Sequence, residues 1–345
     1  MKAAVVTGPG QMKVIDVERP AIEPGAILLK IEACAVCGSD LRIYETGNNR
    51  VSYPAIIGHE MAGEIVEVGA GVEKFSLNDR VCLGADVPCG QCYWCLNGMG
   101  NCCEENYAMG YQFAGGFAEY CLIKPMVVSY GPVARVPAGL SLEEAALAEP
   151  LGCCLNGLER VSFKPGKSVL IIGAGAIGIM LAETARCFGS PMTMLADIDT
   201  NRLEQAAPFN PDHLINSSQN DLLEVVRDLT GGQGADIIFT ACPSPQAQEL
   251  AVKAAAKRGS VNFFGGLAQN AGNINISSND VHYKELLLTG SHGATPVHHA
   301  LALRLIASGR IKVANLISHR FPLSEIDQAF EMVKQRKGLK VIVRP

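Results

Sequence analysis

Long hydrophobic runs and blocks of like charge are scarce in this chain, and each scarcity excludes something. The longest strongly apolar stretch, from Val169 to Ala182, is too short to cross a bilayer and is broken by glycines. It reads as a buried strand, turn and helix, so no membrane partner is expected. Basic residues are scattered and the net charge is -5, which leaves no electrostatic footprint for a polyanion. Nucleic acid is therefore not an expected partner. With 6% aromatic, 18% charged and 48% hydrophobic residues, the composition is that of an ordinary globular protein without disordered or fibrous bias. No internal repeat or low-complexity segment is present. The N-terminus, Met1-Lys2-Ala3-Ala4-Val5-Val6-Thr7, lacks the apolar core and cleavage site of a signal peptide, so a cytoplasmic location is expected.

Cysteine, in contrast, is plentiful: there are thirteen. In a reducing compartment such thiols serve metals or catalysis rather than disulfides. Five of them, Cys89, Cys92, Cys95, Cys102 and Cys103, fall in one short segment, whereas Cys34, Cys82, Cys121, Cys153, Cys154, Cys187 and Cys242 lie mostly in apolar surroundings and read as small core residues. Cys89, Cys92, Cys95 and Cys103 can close a tetrahedral, structural zinc site with no open position. Spacing alone leaves Cys102 as an alternative fourth ligand.

A length of 345 residues suggests two domains. Up to about residue 150, short β-rich runs such as 26–31 and 63–68 alternate with turn residues, which predicts a β-rich domain of barrel type. After Pro165-Gly166 the rhythm changes. Strands near 168–172, 192–196, 237–241, 261–264 and 286–288 alternate with helices near 200–207, 219–230 and 245–257, the pattern of a parallel, doubly wound sheet. A helical stretch after residue 294 and a strand at 340–343 are too little for a third core and are expected to return to the first domain.

Gly173-Ala174-Gly175-Ala176-Ile177-Gly178 directly follows the strand Val169–Ile172 and opens a helix. In that context the motif reads as a dinucleotide site: Gly173 permits the turn, Gly175 lets the backbone approach the pyrophosphate, and Gly178 lets helix and strand pack closely. Asp197, nineteen residues after Gly178, would bind the adenosine ribose hydroxyls and repel a 2'-phosphate, which favours NAD over NADP. Ala176, Ile177 and Arg202 complete the expected cofactor-binding set.

A second constellation is dispersed: Cys37-Gly38-Ser39-Asp40, Gly58-His59-Glu60 and Glu149-Pro150. A thiolate, an imidazole and a carboxylate with one vacant position would make a catalytic zinc site. No spacing rule joins residues so far apart.

Together these residues resemble the zinc-dependent medium-chain dehydrogenases, particularly the polyol branch of sorbitol, galactitol-phosphate and threonine dehydrogenases. The resemblance covers essentially the whole chain. It implies an α/β plus β-barrel architecture: a GroES-like catalytic domain over 1–151, completed by 295–345, and a Rossmann NAD-binding domain over 152–294. It also implies a catalytic zinc with Cys37 and His59 as direct ligands, and with Glu60 or Glu149 as the carboxylate. Ser39 matches the hydroxyl that receives the alcohol proton as hydride passes to nicotinamide. Where many relatives carry a relay histidine, this chain has Arg42, which stays protonated and is assigned no catalytic role. Pro208-Phe209-Asn210-Pro211 departs from the usual helix and should shorten it.

The implied reaction is NAD-linked interconversion of a secondary alcohol and its ketone, with a polyol or sugar alcohol as substrate, phosphorylated or not. A threonine-type or simple secondary alcohol is the alternative within the enzyme class. An NAD-binding sensor is the non-enzyme alternative, and a zinc-ribbon nucleic-acid module explains the four cysteines but not Asp197 or the dispersed set. His292, after the last expected strand, is a candidate substrate contact. The resemblance further implies a homodimer or homotetramer joined near the strand ending at Leu288.

Overall fold

Strand Ile27–Ala35 buries every residue except Lys30 and Glu32, and it forms the centre of a seven-stranded sheet. It pairs antiparallel with Glu60–Val68 on one side and with Tyr120–Ile123 and the C-terminal strand Lys340–Arg344 on the other. The sheet continues from Glu60–Val68 through Arg80–Leu83 to Val133–Arg135, and from Lys340–Arg344 to Ile317–Pro322. Ile31, Ile57, Met61, Ile65, Leu83 and Phe117 are fully buried in its core. Each such side chain contributes about 1.5–3 kcal/mol by leaving water. The structure, a computed structural model that describes residues 1–267 and 272–345, places this sheet in a unit made of Met1–Cys153 and Gly293–Pro345.

The other unit, Cys154–His292, is built on six parallel strands. Their order is His213–Asn216, Thr193–Asp197, Val169–Ile172, Ala235–Thr240, Ala255–Phe263 and Leu287–Gly290. The first strand in sequence lies third in space, the doubly wound order that leaves a crevice beyond its carboxyl end. Val169-Leu170-Ile171-Ile172 is buried throughout, as a strand covered on both faces requires. Helices Ala176–Cys187, Thr200–Ala206, Leu222–Leu229 and Pro245–Ala254 separate the strands.

Two elements differ from the sequence expectation. The helix expected over 245–257 stops at Ala254, because the alanine-rich segment from Ala255 pairs with Ala235–Thr240 instead. Sheet pairing overrides local helix propensity there. The short strand His213–Asn216, hidden behind the two prolines, was not anticipated. Those prolines act on the chain before them: helix Thr200–Ala206 gives way to a 3-10 turn over Ala207–Phe209, and Asn210 takes a left-handed conformation with φ 49°. Among the described residues no helix is long and apolar enough to cross a membrane.

Candidate active site and metal centres

The four-cysteine loop needs little of the fold to assemble. Cys92 precedes a single helical turn, Tyr93–Leu96, and Cys103 follows a 3-10 turn over Gly100–Cys102. The sulfurs of Cys89, Cys92, Cys95 and Cys103 all lie within 4.8 Å of one another. Cys92 Sγ stands 3.5 Å from Cys95 Sγ and 3.9 Å from Cys103 Sγ, and Cys89 Sγ is 3.9 Å from Cys95 Sγ. A tetrahedron with zinc–sulfur bonds of about 2.3 Å has sulfur–sulfur edges of about 3.8 Å, so these thiols fit the ion. Cys103 is buried and belongs to this group, whereas Cys102 is exposed. Backbone amides of Glu104 and Cys95 pull the Cys92 thiol down to about 6, while burial pushes Cys95 up to about 12.

The dispersed constellation is assembled by the central sheet. Cys37 follows strand Ile27–Ala35 and caps helix Gly38–Thr46 in an extended conformation. Its backbone N–H donates to Asp40 Oδ2 at 2.9 Å. The other oxygen of Asp40, a fully buried carboxylate, faces His59 Nδ1 at 3.3 Å. This contact orients the imidazole and turns Nε2 away, the usual arrangement of a metal-binding histidine. Glu60 opens the neighbouring strand directly opposite Ala35. As a result Cys37, His59 and Glu60 bring a sulfur, a nitrogen and a carboxylate oxygen within 4.8 Å of one another. A soft donor, a borderline donor and a hard donor, with one position open, suit a catalytic zinc.

Burial alone would drive the His59 imidazole down, but the Asp40 charge and the Cys37 side chain outweigh it and hold the ring well above the ordinary histidine value. Glu60 is completely buried, and both of its oxygens accept from Lys340 Nζ, at 2.5 and 2.6 Å. Lys340 is itself 5% exposed. Register explains the meeting, since Ala35 pairs with Glu60 on one side and with Ile342, two residues beyond Lys340, on the other. Glu149, near the start of helix Ala148–Arg160, lies outside the gathered group and feels its charges. Burial pushes its carboxyl up to about 7; the His59 charge opposes this and Glu60 adds to it.

Ser39 Oγ is 3.4 Å from His59 Nε2, beside the would-be ligands. The Tyr111 phenol reaches Ser39, and its ring lies 6.2 Å from the His59 ring, centroid to centroid. Sequence reading assigned no role to Asp40, Lys340 or Tyr111. Asp40 was at hand in the Cys37-Gly38-Ser39-Asp40 motif, but no local signal marks the other two. Arg42 is exposed on helix Gly38–Thr46.

In the second unit the glycine turn is held by contact distances. Gly173 has φ 116°, and a Cβ on Gly178 would lie 1.8 Å from the Gly173 carbonyl oxygen. Gly178→Ala would therefore force the turn open. Gly175 caps helix Ala176–Cys187, and a Cβ there would meet nothing within 4 Å, which leaves open space in front of the first-turn amides of Ala176 and Ile177. Such a cradle fits a pyrophosphate. Asp197 ends the adjacent strand; its Oδ2 accepts from Ala174 N at 2.7 Å and its Oδ1 from Asp199 N at 3.0 Å. Arg202, on helix Thr200–Ala206, donates to Gln205 Oε1 at 3.4 Å. His292 is exposed, and its carbonyl accepts from Asn156 Nδ2 at 3.2 Å.

Known proteins carry the same plan. Residues 23–132 match the alcohol dehydrogenase GroES-like domain, and residues 176–308 match the zinc-binding dehydrogenase family. The sorbitol dehydrogenase of Halalkalibacterium halodurans is 31% identical and aligns with 100% of this chain and 99% of its own length. The L-threonine 3-dehydrogenase of Pyrococcus horikoshii is 32% identical over 99% of this chain and 98% of its own. A zinc-binding dehydrogenase from Sinorhizobium meliloti, solved bound to NADP, superposes with a TM-score of 0.93 at 28% identity and covers 100% of this chain and 99% of that one. The chain belongs to the zinc-dependent medium-chain dehydrogenases, among their polyol-type members, and is an oxidoreductase of alcohols that uses zinc and NAD(P).

Proposed function

We propose that the protein interconverts a secondary alcohol of the polyol or sugar-alcohol kind and its ketone with NAD, at a zinc ion held by Cys37, His59 and Glu60. The observation that carries this reading is the convergence of those three donors beside Ser39. When bound, zinc polarises the alcohol oxygen and the nicotinamide accepts the hydride.

The chain's own groups do the rest. Asp40 fixes the His59 ring, Lys340 offsets the buried charge of Glu60, and Glu149 would be a second carboxylate available near the metal. Ser39 receives the alcohol proton. Arg42 cannot pass it on, because a guanidinium stays protonated. Cys89, Cys92, Cys95 and Cys103 hold a second, structural zinc.

In this reading Met1–Cys153 with Gly293–Pro345 is the catalytic domain and Cys154–His292 the nucleotide-binding domain. Gly173, Gly175, Ala176, Ile177 and Gly178 receive the pyrophosphate, and Asp197 with Arg202 holds the adenosine ribose. The Asp197 carboxylate would repel a 2'-phosphate, which supports NAD although a similar structure holds NADP. Strand Leu287–Gly290 ends its sheet, and Leu287 and Tyr283 are 47% and 74% exposed there, which supports a homodimer or homotetramer joined along this edge. Thirteen cysteines, none of them in a disulfide among the described residues, support a cytoplasmic location.

The test is NAD reduction across a panel of polyols, L-threonine and simple secondary alcohols, with zinc measured on the same sample. Polyols should give the highest kcat/KM at two zinc ions per chain. L-threonine as the best substrate would replace the polyol assignment, and no turnover of any alcohol at full zinc content would refute the reading.

A further inference from the structure

Among the described residues six of the fifteen arginines are matched to carboxylates, among them Arg19 to Glu67, Arg135 to Asp79, Arg186 to Glu183, and Arg320 and Arg344 to Glu143. Arg50 is not. Among the described residues no carboxylate lies within ion-pair distance of its guanidinium, yet the group is held in place. Its carbon Cζ stands over the Tyr111 ring, 4.9 Å from the centroid, and Nη2 donates to the carbonyl of Asn106. Its backbone N–H is tied to Asn48 Oδ1 at 2.9 Å. A guanidinium has five N–H donors, and the Asn106 carbonyl accounts for one. Fixing an arginine costs rotamer freedom, so a half-buried cation held without a counter-charge has donors left for a partner.

The position of Arg50 indicates which partner. The ring beneath it is the one whose phenol reaches Ser39 and whose centroid is 6.2 Å from the His59 ring. One aromatic ring therefore separates the cation from the place where the alcohol reacts. We infer that the substrate alcohol carries an anionic group, a phosphate monoester or a carboxylate, and that Arg50 receives it. The inference rests on the proposed dehydrogenase function and specifies its substrate class. Because Tyr111 lies between, the anion is several bonds from the reacting carbon, with the intervening chain laid against the phenol. Two or more N–H donors in a planar fork suit either anion, and an ammonium in the same place would not reproduce the fork.

The test uses matched pairs of substrates with the zinc-loaded full chain: a polyol against its terminal phosphate, and a hydroxy acid against its amide. The readout is the ratio of kcat/KM between the charged and neutral members, for wild type, Arg50→Gln and Arg50→Lys. Wild type should prefer the charged member of one pair, and the pair in which it does so identifies the anion. Arg50→Gln should collapse that ratio by about tenfold to a hundredfold, the range of a charge-assisted hydrogen bond, mainly through KM. Arg50→Lys should give an intermediate ratio. Inorganic phosphate should compete with the charged member in wild type and compete far less in Arg50→Gln. A wild-type ratio at or below one in both pairs would overturn the inference and leave the dehydrogenase reading intact. An unchanged ratio in Arg50→Gln would overturn it too, and would reduce Arg50 to a brace for its loop. If neither member of either pair is oxidised with NAD or NADP, the dehydrogenase reading fails and this inference falls with it.

Discussion

The two candidate metal clusters of the first unit are built on opposite plans. Cys89, Cys92, Cys95 and Cys103 come from one loop, offer four identical donors and leave no position open. Cys37, His59 and Glu60 come from two separate segments, offer three different donors, and rest on groups that bind no metal: Asp40 behind His59 and Lys340 behind Glu60. The first arrangement makes the ion part of the chain's scaffold. The second makes the scaffold part of the ion's environment, because a vacancy has to be defended by buried charges that keep their geometry. Stability should therefore depend on the first cluster and turnover on the second.

The largest expected effect is on turnover. Cys37→Ala should lower kcat/KM for alcohol oxidation at least about a thousandfold, equivalent to about 4 kcal/mol, and remove one of two zinc ions without much change in the thermal midpoint. Metal analysis alongside NAD reduction checks both parts; a variant that keeps its activity would erase the distinction between the clusters. Next is the charge pair. In the zinc-free protein Lys340→Met leaves the Glu60 carboxylate buried without its cation and should destabilise the chain by about 3–5 kcal/mol in denaturant unfolding. A loss below about 1 kcal/mol would mean that Glu60 does not depend on Lys340.

Ser39→Ala should then lower kcat about a hundredfold, within the range for a group that handles a proton in the rate-limiting chemistry. Arg42→Ala, one helical turn along, should stay within about threefold of wild type. Equal losses from both would put Arg42 into the proton path. The smallest effect on turnover belongs to the loop: Cys92→Ala should lower the thermal midpoint by about 5 °C or more, while the folded fraction keeps its kcat. A loop variant that is stable but inactive would invert the comparison.

How legible each cluster was in the sequence follows from the same contrast. The loop could be read from spacing alone, and only the distinction between exposed Cys102 and buried Cys103 needed coordinates. The glycine turn was equally readable, because Val169–Ile172, Gly173, Gly175 and Gly178 are consecutive and Asp197 ends the very next strand. Cys37, His59, Glu60 and Glu149 could be set side by side from their donor types, but no spacing joins them, and the resemblance left Glu60 or Glu149 open as the carboxylate. The carboxylate gathered with the first two is Glu60, and that depends on the pairing of Ala35 with Glu60, a matter of register. Lys340 escaped notice because, 280 positions from Glu60, it reads as the polar start of an apolar strand. Tyr111 and Arg50 lie in turn-rich segments where periodicity carries no information. The alanine run at 254–256 misled in the other direction, since its helix preference is outweighed by pairing in the sheet.

The most direct measurement is stepwise zinc removal. Dialysis against a chelator, with zinc content and NAD-linked alcohol oxidation followed on the same aliquots, should show activity falling in proportion to the first ion lost and reaching zero with one ion per chain still bound. Full activity in protein that has lost that first ion would contradict the claim that the site at Cys37, His59 and Glu60 performs the chemistry.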